Sequence, residues 1–166
     1  PETPLQEHCF PLTPFDSSGM VALLTPESLS TMDKNKLLET ATCLRNAFGR
    51  SNLYITLTRH HRRTSERINR HLVDLADHLK IPLLASNAPL FAHRHDRLLA
   101  DAFTCLRHHT SLDKAGTLLE ENSERHLKSP EQLSTLFKDY PQALLNSQIL
   151  SERLDFTLDR LDYKFP

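Results

Sequence analysis

A chain of 166 residues, 39% hydrophobic and 25% charged, is long enough to form one domain with a sizeable core. Its net charge of −1 gives no general attraction to nucleic acids or anionic membranes, so such a partner would need a local patch. The three cysteines lack C-x-x-C spacing, which argues against a disulfide framework or a cysteine zinc site and favours a reducing cytoplasm. No signal peptide or membrane span is visible, so we expect no membrane partner.

The first half of the chain alternates strand and helix patterns. Residues 1–18 carry four prolines and no sustained periodicity, so we expect an irregular lead-in. The apolar run at 20–24 predicts a strand, residues 33–48 predict a helix, and Leu53–Leu57 predicts a second strand. A second helix should then run to Lys80, with Thr64 or Ser65 as its N-cap.

The stretch KIPLLASNAPLFA, residues 80–92, predicts a third, buried strand. Pro82 opens it, and the turn formers Ser86, Asn87 and Pro89 close it. The order strand, helix, strand, helix, strand implies parallel pairing through right-handed crossovers. The carboxyl end of this third strand is therefore where an α/β fold would keep its chemistry.

The second half of the chain is predominantly helical in pattern. A helix from about 96 to 107 is expected, and residues 111–127 are typical of a loop. Ser129-Pro130-Glu131-Gln132 predicts a capping box, and the helix that it starts should break at Tyr140-Pro141. A last helix should reach about residue 155, followed by an extended tail at 161–166. The helix over 96–107 should bury five apolar residues: Leu98, Leu99, Ala102, Phe103 and Leu106.

An ordered set of stretches resembles one protein family. They are GMVALL, FGRSNLYITLTRH, LADHLKIPLLASN, FTCLRHHTSLDKAG, SERHLKSPEQLSTLF and the closing PQALLNSQILSERLDFTLDRLDYKFP. Together they resemble the PHP (polymerase and histidinol phosphatase) domain of the bacterial DNA polymerase III alpha-subunit family, including its error-prone branch. The resemblance implies an α/β fold, a partial and distorted βα barrel with parallel strands, over residues 19–166. Its βα units would occupy 19–112, and a loop with helices would occupy 113–166.

The resemblance also implies a function for the longer protein. Since the chain starts at Pro1 and the family's N-terminal HxH-bearing strand is missing, we expect a fragment of an error-prone DNA polymerase. The parent would carry out DNA-directed DNA synthesis in damage tolerance and repair. The fragment would lack the carboxylates of that reaction, so we expect no catalytic residue in it.

The family's metal ligands are replaced here. Where the family has a segment like ATNDVHY, this chain has ASNAPLF, so Ala88 stands in place of aspartate and Leu90 in place of histidine. Thr56 likewise stands in place of a glutamate. Methyl and isobutyl groups cannot bind a metal, so the resemblance implies a degenerate module without metal or other cofactor, although a divalent metal would serve the parent polymerase.

Two alternative interpretations involve catalysis. A metal-dependent phosphoesterase or 3′–5′ exonuclease would need ligands from upstream or from His93 and His95, although neighbouring histidines on a regular element point apart. Cys105 lies four residues before His109, a spacing compatible with a nucleophile and its base, but its apolar neighbours indicate an inert buried thiol.

A nucleic-acid-binding module is the remaining alternative. Arg59, His60, Arg62 and Arg63 belong to a concentrated basic run that could contact DNA phosphates; the competing interpretation is a solvated βα loop. The smaller basic group Arg125, His126 and Lys128 is typical of a polar surface beside a helix start.

The expected partners follow from the idea of a partial barrel. They are the rest of the parent polymerase and, through it, DNA. A partial barrel would also expose one edge strand and the barrel-facing side of its sheet. We therefore expect the isolated fragment to hide this surface by self-association.

Overall fold

The computed structural model describes residues 19–26 and 33–156. At its centre lies a parallel sheet of three strands, β1 (Ala22–Leu24), β2 (Leu53–Leu57) and β3 (Leu83–Ala85), in the spatial order β1-β2-β3. The predicted α/β class with parallel strands is confirmed. The predicted lead-in at 1–18 and the tail at 161–166 lie outside the described residues.

Two helices make the crossovers between the strands. The first, α1 (Lys34–Phe48), begins where the Oδ1 atom of Asp33 accepts hydrogen bonds from the backbone of Asn35 and Lys36, a typical N-cap. The second is α2 (Arg63–Leu79). The predicted cap of α2 at Thr64 or Ser65 is wrong: Arg62 occupies the N-cap position without a side-chain hydrogen bond, because the helical conformation already starts at residue 63.

The core lies between β2 and these helices. Every residue of β2 is buried, and its side chains alternate between the two faces of the sheet. Leu53, Ile55 and Leu57 pack in one cluster with Leu72 and Leu79 of α2. Burial of each such side chain contributes about 1.5–3 kcal/mol to folding, which explains why this strand matches its predicted bounds.

Four more helices follow β3 in the described residues. They are α3 (Arg97–Arg107), which is preceded by a 3₁₀ turn at Arg94–Asp96, α4 (Leu112–Ala115), α5 (Pro130–Leu136) and α6 (Pro141–Arg153). The interpretation of 111–127 as loop is wrong at its start, where α4 and a 3₁₀ turn at Gly116–Leu118 form around the buried Ala115. The capping box is confirmed, since Ser129 and Gln132 each bond the other's backbone N–H.

Helix α3 faces the opposite way from the prediction. Its inward side carries Asp101 and Cys105, whereas all five apolar residues that we expected to be buried point outward. The exposed fraction is 76% for Leu98 and 61% for Phe103. The periodicity correctly identified the residues that share a face, but the main contacts of α3 are with the short helix α4 and the 3₁₀ turn at Arg94–Asp96, and its apolar face stays exposed.

Helix α6 closes one edge of the sheet. The Nδ2 group of Asn146 donates to the carbonyl oxygen of Leu83 at 2.7 Å, and the Ser147 hydroxyl donates to that of Ala85 at 2.8 Å. These side chains satisfy two carbonyl oxygens of β3 that would otherwise be free to accept hydrogen bonds from a further strand. At the other edge, β1 has no second strand neighbour among the described residues, as expected of a partial barrel. No helix in the described part of the chain is long and apolar enough to cross a membrane.

Candidate functional site

Polar side chains meet where β2 and β3 end. His60, three residues after β2, lies against Asn87, two residues after β3, and its Nε2 atom is 2.8 Å from the Asn87 carbonyl oxygen. Both residues are buried. Because a carbonyl oxygen only accepts hydrogen bonds, Nε2 of His60 carries the proton in this contact.

A loop over residues 119–128 covers these strand ends. The Nδ2 group of Asn87 donates to two of its carbonyl oxygens, those of Glu124 at 3.1 Å and His126 at 2.6 Å. In return, Arg125 donates from Nε to the carbonyl oxygen of Ala88 at 2.9 Å. An isolated parallel bridge pairs Phe91 with His126. The end of β3 is therefore occupied by the protein's own backbone.

Ala88 adopts a left-handed backbone conformation, with φ of 41°. This region favours glycine, asparagine and aspartate over alanine. Its neighbours hold it there, because its N–H donates to the Ser86 hydroxyl and its carbonyl accepts from Arg125. Ala88, at the position where the resemblance implies an aspartate, thus has a backbone conformation that would suit aspartate.

Within this loop, Glu124 is at the centre of a group of basic side chains. It pairs with Arg94, with Lys128 at 3.0 Å and with His61 at 3.7 Å. Burial alone would raise the pKa of Glu124, but its hydrogen bond to Lys128 and the nearby positive charges hold that pKa below its ordinary value. The interpretation of Arg125, His126 and Lys128 as polar surface is wrong for His126, which is buried, and the side chain of Lys128 is only 6% exposed.

The environment of His60 affects its protonation. Burial lowers the pKa of His60, and the charges of Arg125 and Arg62 add to that effect. The hydrogen bond to Asn87 and the charge of Glu120 oppose it without cancelling it. His60 is therefore a neutral donor to the backbone.

The residues at the strand ends do not form the metal centre of the family that the chain resembles. Ala88 and Leu90 have no ligand atoms, and Thr56 is buried on β2. Across the described ranges, no group of three histidine, cysteine or carboxylate side chains could hold a metal ion. His93 and His95 stack on each other in an exposed position, with ring centroids 5.3 Å apart.

The members of the predicted basic run have different environments, and Arg59 is held by contacts within the protein. Arg59 forms a two-point pair with Asp139, at 2.5 and 2.7 Å, pairs with Glu66 at 3.0 Å, and lies over the rings of Phe137 and Tyr140. These hydrogen bonds from Arg59 hold the pKa of Asp139 below its ordinary value.

The other members of the run differ in exposure. Arg62 pairs with Glu120 at 2.8 Å and with Glu121 at 3.3 Å, and His60 is buried. Arg63, the fourth candidate, is exposed. The carboxylates that bind Arg59 and Arg62 were missed from the sequence, because Asp139 and Glu120 lie 80 and 58 residues further along the chain.

An open cleft of about 610 Å³ lies beside this network. Its basic residues include Arg59, Arg94 and Lys128, and its acidic residues are Glu66, Glu124 and Glu131. All three of the basic side chains are already paired with carboxylates. The cleft is therefore electrostatically balanced and does not resemble a site for a multiply charged anion.

Comparison with known proteins gives a consistent result. No family model matches the chain. The error-prone DNA polymerase of Rhodopseudomonas palustris (strain BisA53) is 33% identical over 151 residues, which is 91% of this chain and 13% of that protein. Error-prone DNA polymerases of Bradyrhizobium diazoefficiens and Rhizobium meliloti are 40% and 39% identical over 64% and 69% of this chain, and over 9% and 10% of their own length. The chain thus spans about a tenth of the curated relatives it matches.

Proposed function

Over nine-tenths of its length this chain is homologous to one segment of the error-prone DNA polymerases, and from that premise we propose that it is a non-catalytic docking module of such an enzyme. The parent protein would synthesise DNA on a DNA template in the cytoplasm during damage tolerance and repair. This segment, a degenerate PHP-type portion, would support the polymerase and bind neither metal nor substrate at its strand ends.

The outward face of α3 carries the proposal. Leu98, Leu99, Phe103 and Leu106 are each more than half exposed, and together they form an apolar strip along one helix. Contiguous exposed apolar surface of this kind marks an interaction site in soluble proteins. Its occupant is the rest of the polymerase chain, because about nine-tenths of each relative lies outside the segment that matches.

The covering loop at the ends of β2 and β3 supports the non-catalytic part of the proposal. The Nδ2 group of Asn87 donates both of its described hydrogen bonds to the covering loop. Nε2 of His60 carries a proton that it donates to the Asn87 carbonyl oxygen, so this nitrogen has no free lone pair for a metal. A phosphoesterase or exonuclease would need ligands at the positions of Ala88 and Leu90. Elemental analysis of the chain after equilibration with zinc and manganese should find no stoichiometric metal, and tight binding of one ion per chain would contradict us.

Side-chain footprinting tests the docking role. Carbene labelling should modify Phe103 strongly in the 166-residue chain and several-fold less in a polymerase that contains this segment. The buried Phe137 serves as an internal reference, because it should stay unlabelled in both proteins. Equal labelling of Phe103 in the two proteins would remove the proposal.

A matched pair of variants tests the same face by stability. Leu99→Glu with Phe103→Glu should leave the melting temperature of the 166-residue chain unchanged, because both side chains are exposed there. The same pair should lower the melting temperature of the polymerase, whereas Leu145→Glu, on an exposed position of α6, should not. If the 166-residue chain is a dimer and the double variant makes it monomeric, the partner of the α3 face is a second copy and our assignment is wrong.

A further inference from the structure

Exposed arginines continue the predicted basic run along α2. Arg63, Arg67 and Arg70 are all exposed. Their spacing of four and then three residues places them within about 60° of one another around the helix, over about 10 Å of its axis. Together we name them the α2 arginine stripe.

The α2 arginine stripe differs from the arginines near the strand ends. Arg59, Arg62, Arg94 and Arg125 each pair with a carboxylate, whereas no member of the stripe forms an ion pair with any residue in the described ranges. Of the acidic residues near the stripe, Glu66 is held by Arg59, whereas Asp74 and Asp77 lie beyond Arg70. The stripe ends at Asp74, which shares its face one turn beyond Arg70, and at Asp77. The positive charge of the stripe is therefore confined to residues 63–70, where no guanidinium group forms an ion pair with a described residue.

We propose that the α2 arginine stripe binds the sugar–phosphate backbone of DNA. Three guanidinium groups over about 10 Å match a short run of phosphates, since each strand of B-DNA places one phosphate every 3.4 Å of axis. Contacts of this type neutralise phosphates without reading sequence. The choice of DNA among polyanions rests on the proposed function; the stripe itself rests only on the geometry of α2.

The proposed DNA-binding surface differs from the set of basic residues predicted from the sequence. Arg59, His60 and Arg62 are engaged within the protein, so of the original candidates only Arg63 belongs to the DNA-binding surface. Arg67 and Arg70 take the place of the others. The apolar face of α3 lies on a different helix, so docking and DNA binding can be tested independently.

The test is a salt titration of DNA binding by the 166-residue chain. Fluorescence anisotropy would follow a labelled mixed-sequence oligonucleotide of about 20 nucleotides, single-stranded and as a duplex, between about 25 and 200 mM KCl. For single strands each phosphate contact contributes about −0.7 to the slope of log K against log salt. Arg63→Ala with Arg67→Ala and Arg70→Ala should therefore make the slope shallower by about 2 and weaken binding at least about tenfold at the lowest salt.

Two control proteins complete the experiment. Lys34→Ala, Lys36→Ala and Arg50→Ala together remove the same charge from exposed positions around α1, and should keep the slope and the affinity of the unmodified chain. Replacing the three stripe arginines by lysine should also keep the slope, because the salt effect counts charges. Circular dichroism would verify that each variant is folded.

Each contrary outcome overturns the proposal. It fails if both alanine triples weaken binding equally, if the unmodified chain does not bind DNA at the lowest salt, or if it binds vesicles of anionic phospholipid but not DNA. Because the assay measures no property of a polymerase, its failure would leave the docking role of α3 standing. Loss of that docking role would equally leave this binding result intact.

Discussion

At the scale of single residues, Ala88 is held in a conformation that its side chain disfavours. A left-handed residue other than glycine, asparagine or aspartate costs about 1–2 kcal/mol. Ala88→Asn should therefore raise the free energy of unfolding by about 1 kcal/mol, and Ala88→Gly by a similar or smaller amount. Urea denaturation measures both. Ala92→Gly, at an exposed position outside the left-handed region, is the control and should not stabilise the protein.

His60 gives the protein a dependence on pH. Because burial lowers its pKa in the folded state below the ordinary value of 6.5, the unfolded chain takes up a proton that the folded chain does not. The free energy of unfolding should thus fall as the pH drops through 6.5 and level off below the folded pKa. His60→Gln keeps a donor for Asn87 without titrating, so it should flatten this dependence between about pH 5.5 and 7.5. An unchanged or steeper profile in His60→Gln would refute the assignment.

At the scale of elements, α6 protects the edge of β3. Asn146→Ala with Ser147→Ala leaves two strand carbonyls without their side-chain donors, so the free energy of unfolding should fall by about 1–2 kcal/mol. The freed edge should also increase aggregation, measured by light scattering during a thermal ramp. Gln148→Ala, which removes only an exposed contact with Glu152, should change neither quantity. Unchanged aggregation in the double variant would show that the edge is protected in another way.

The elements also show what a sequence can reveal. Strand β2 was predicted with its exact bounds because its residues are apolar or β-branched and all are buried, so local preference and tertiary environment agree. Helix α3 was located correctly, but its orientation was not, since periodicity defines a face without saying what it meets. The contacts of Arg59 and Arg62 were unpredictable for a related reason: their carboxylates lie far along the chain and meet them only in the folded state.

At the scale of the whole molecule, two arginines join the C-terminal helices to the sheet. Arg59 bonds Asp139 and the Leu136 carbonyl oxygen. Arg153, at the end of α6, bonds the Ser51 carbonyl oxygen at 2.9 Å and the Tyr54 hydroxyl at 3.0 Å. These contacts connect residues 77 to 102 positions apart, so the helical C-terminal segment and the sheet should unfold together.

The Arg59 contacts can be tested directly. Arg59→Ala should lower the free energy of unfolding by about 2 kcal/mol, because charge-assisted hydrogen bonds contribute more than neutral ones. Arg59→Lys should recover less than half of that loss, since an ammonium group cannot form the two-point pair with Asp139. Arg63→Ala, at an exposed position, should change the free energy of unfolding by no more than about 0.5 kcal/mol. Equal effects at Arg59 and Arg63 in chemical denaturation would show that Arg59 is not a structural link.

The sealing of β3 by α6 has a consequence for synthesis on the ribosome. Leu83 is made 63 residues before Asn146, the residue that covers its carbonyl oxygen. At about 5–20 residues per second, the strand edge stays open for about 3–12 s in every new chain. During that interval we expect the open edge to be available for pairing with another chain, and a chain that ends before α6 would keep it open. We therefore expect slower synthesis of residues 84–146 to lower the fraction of chains that reach the native state.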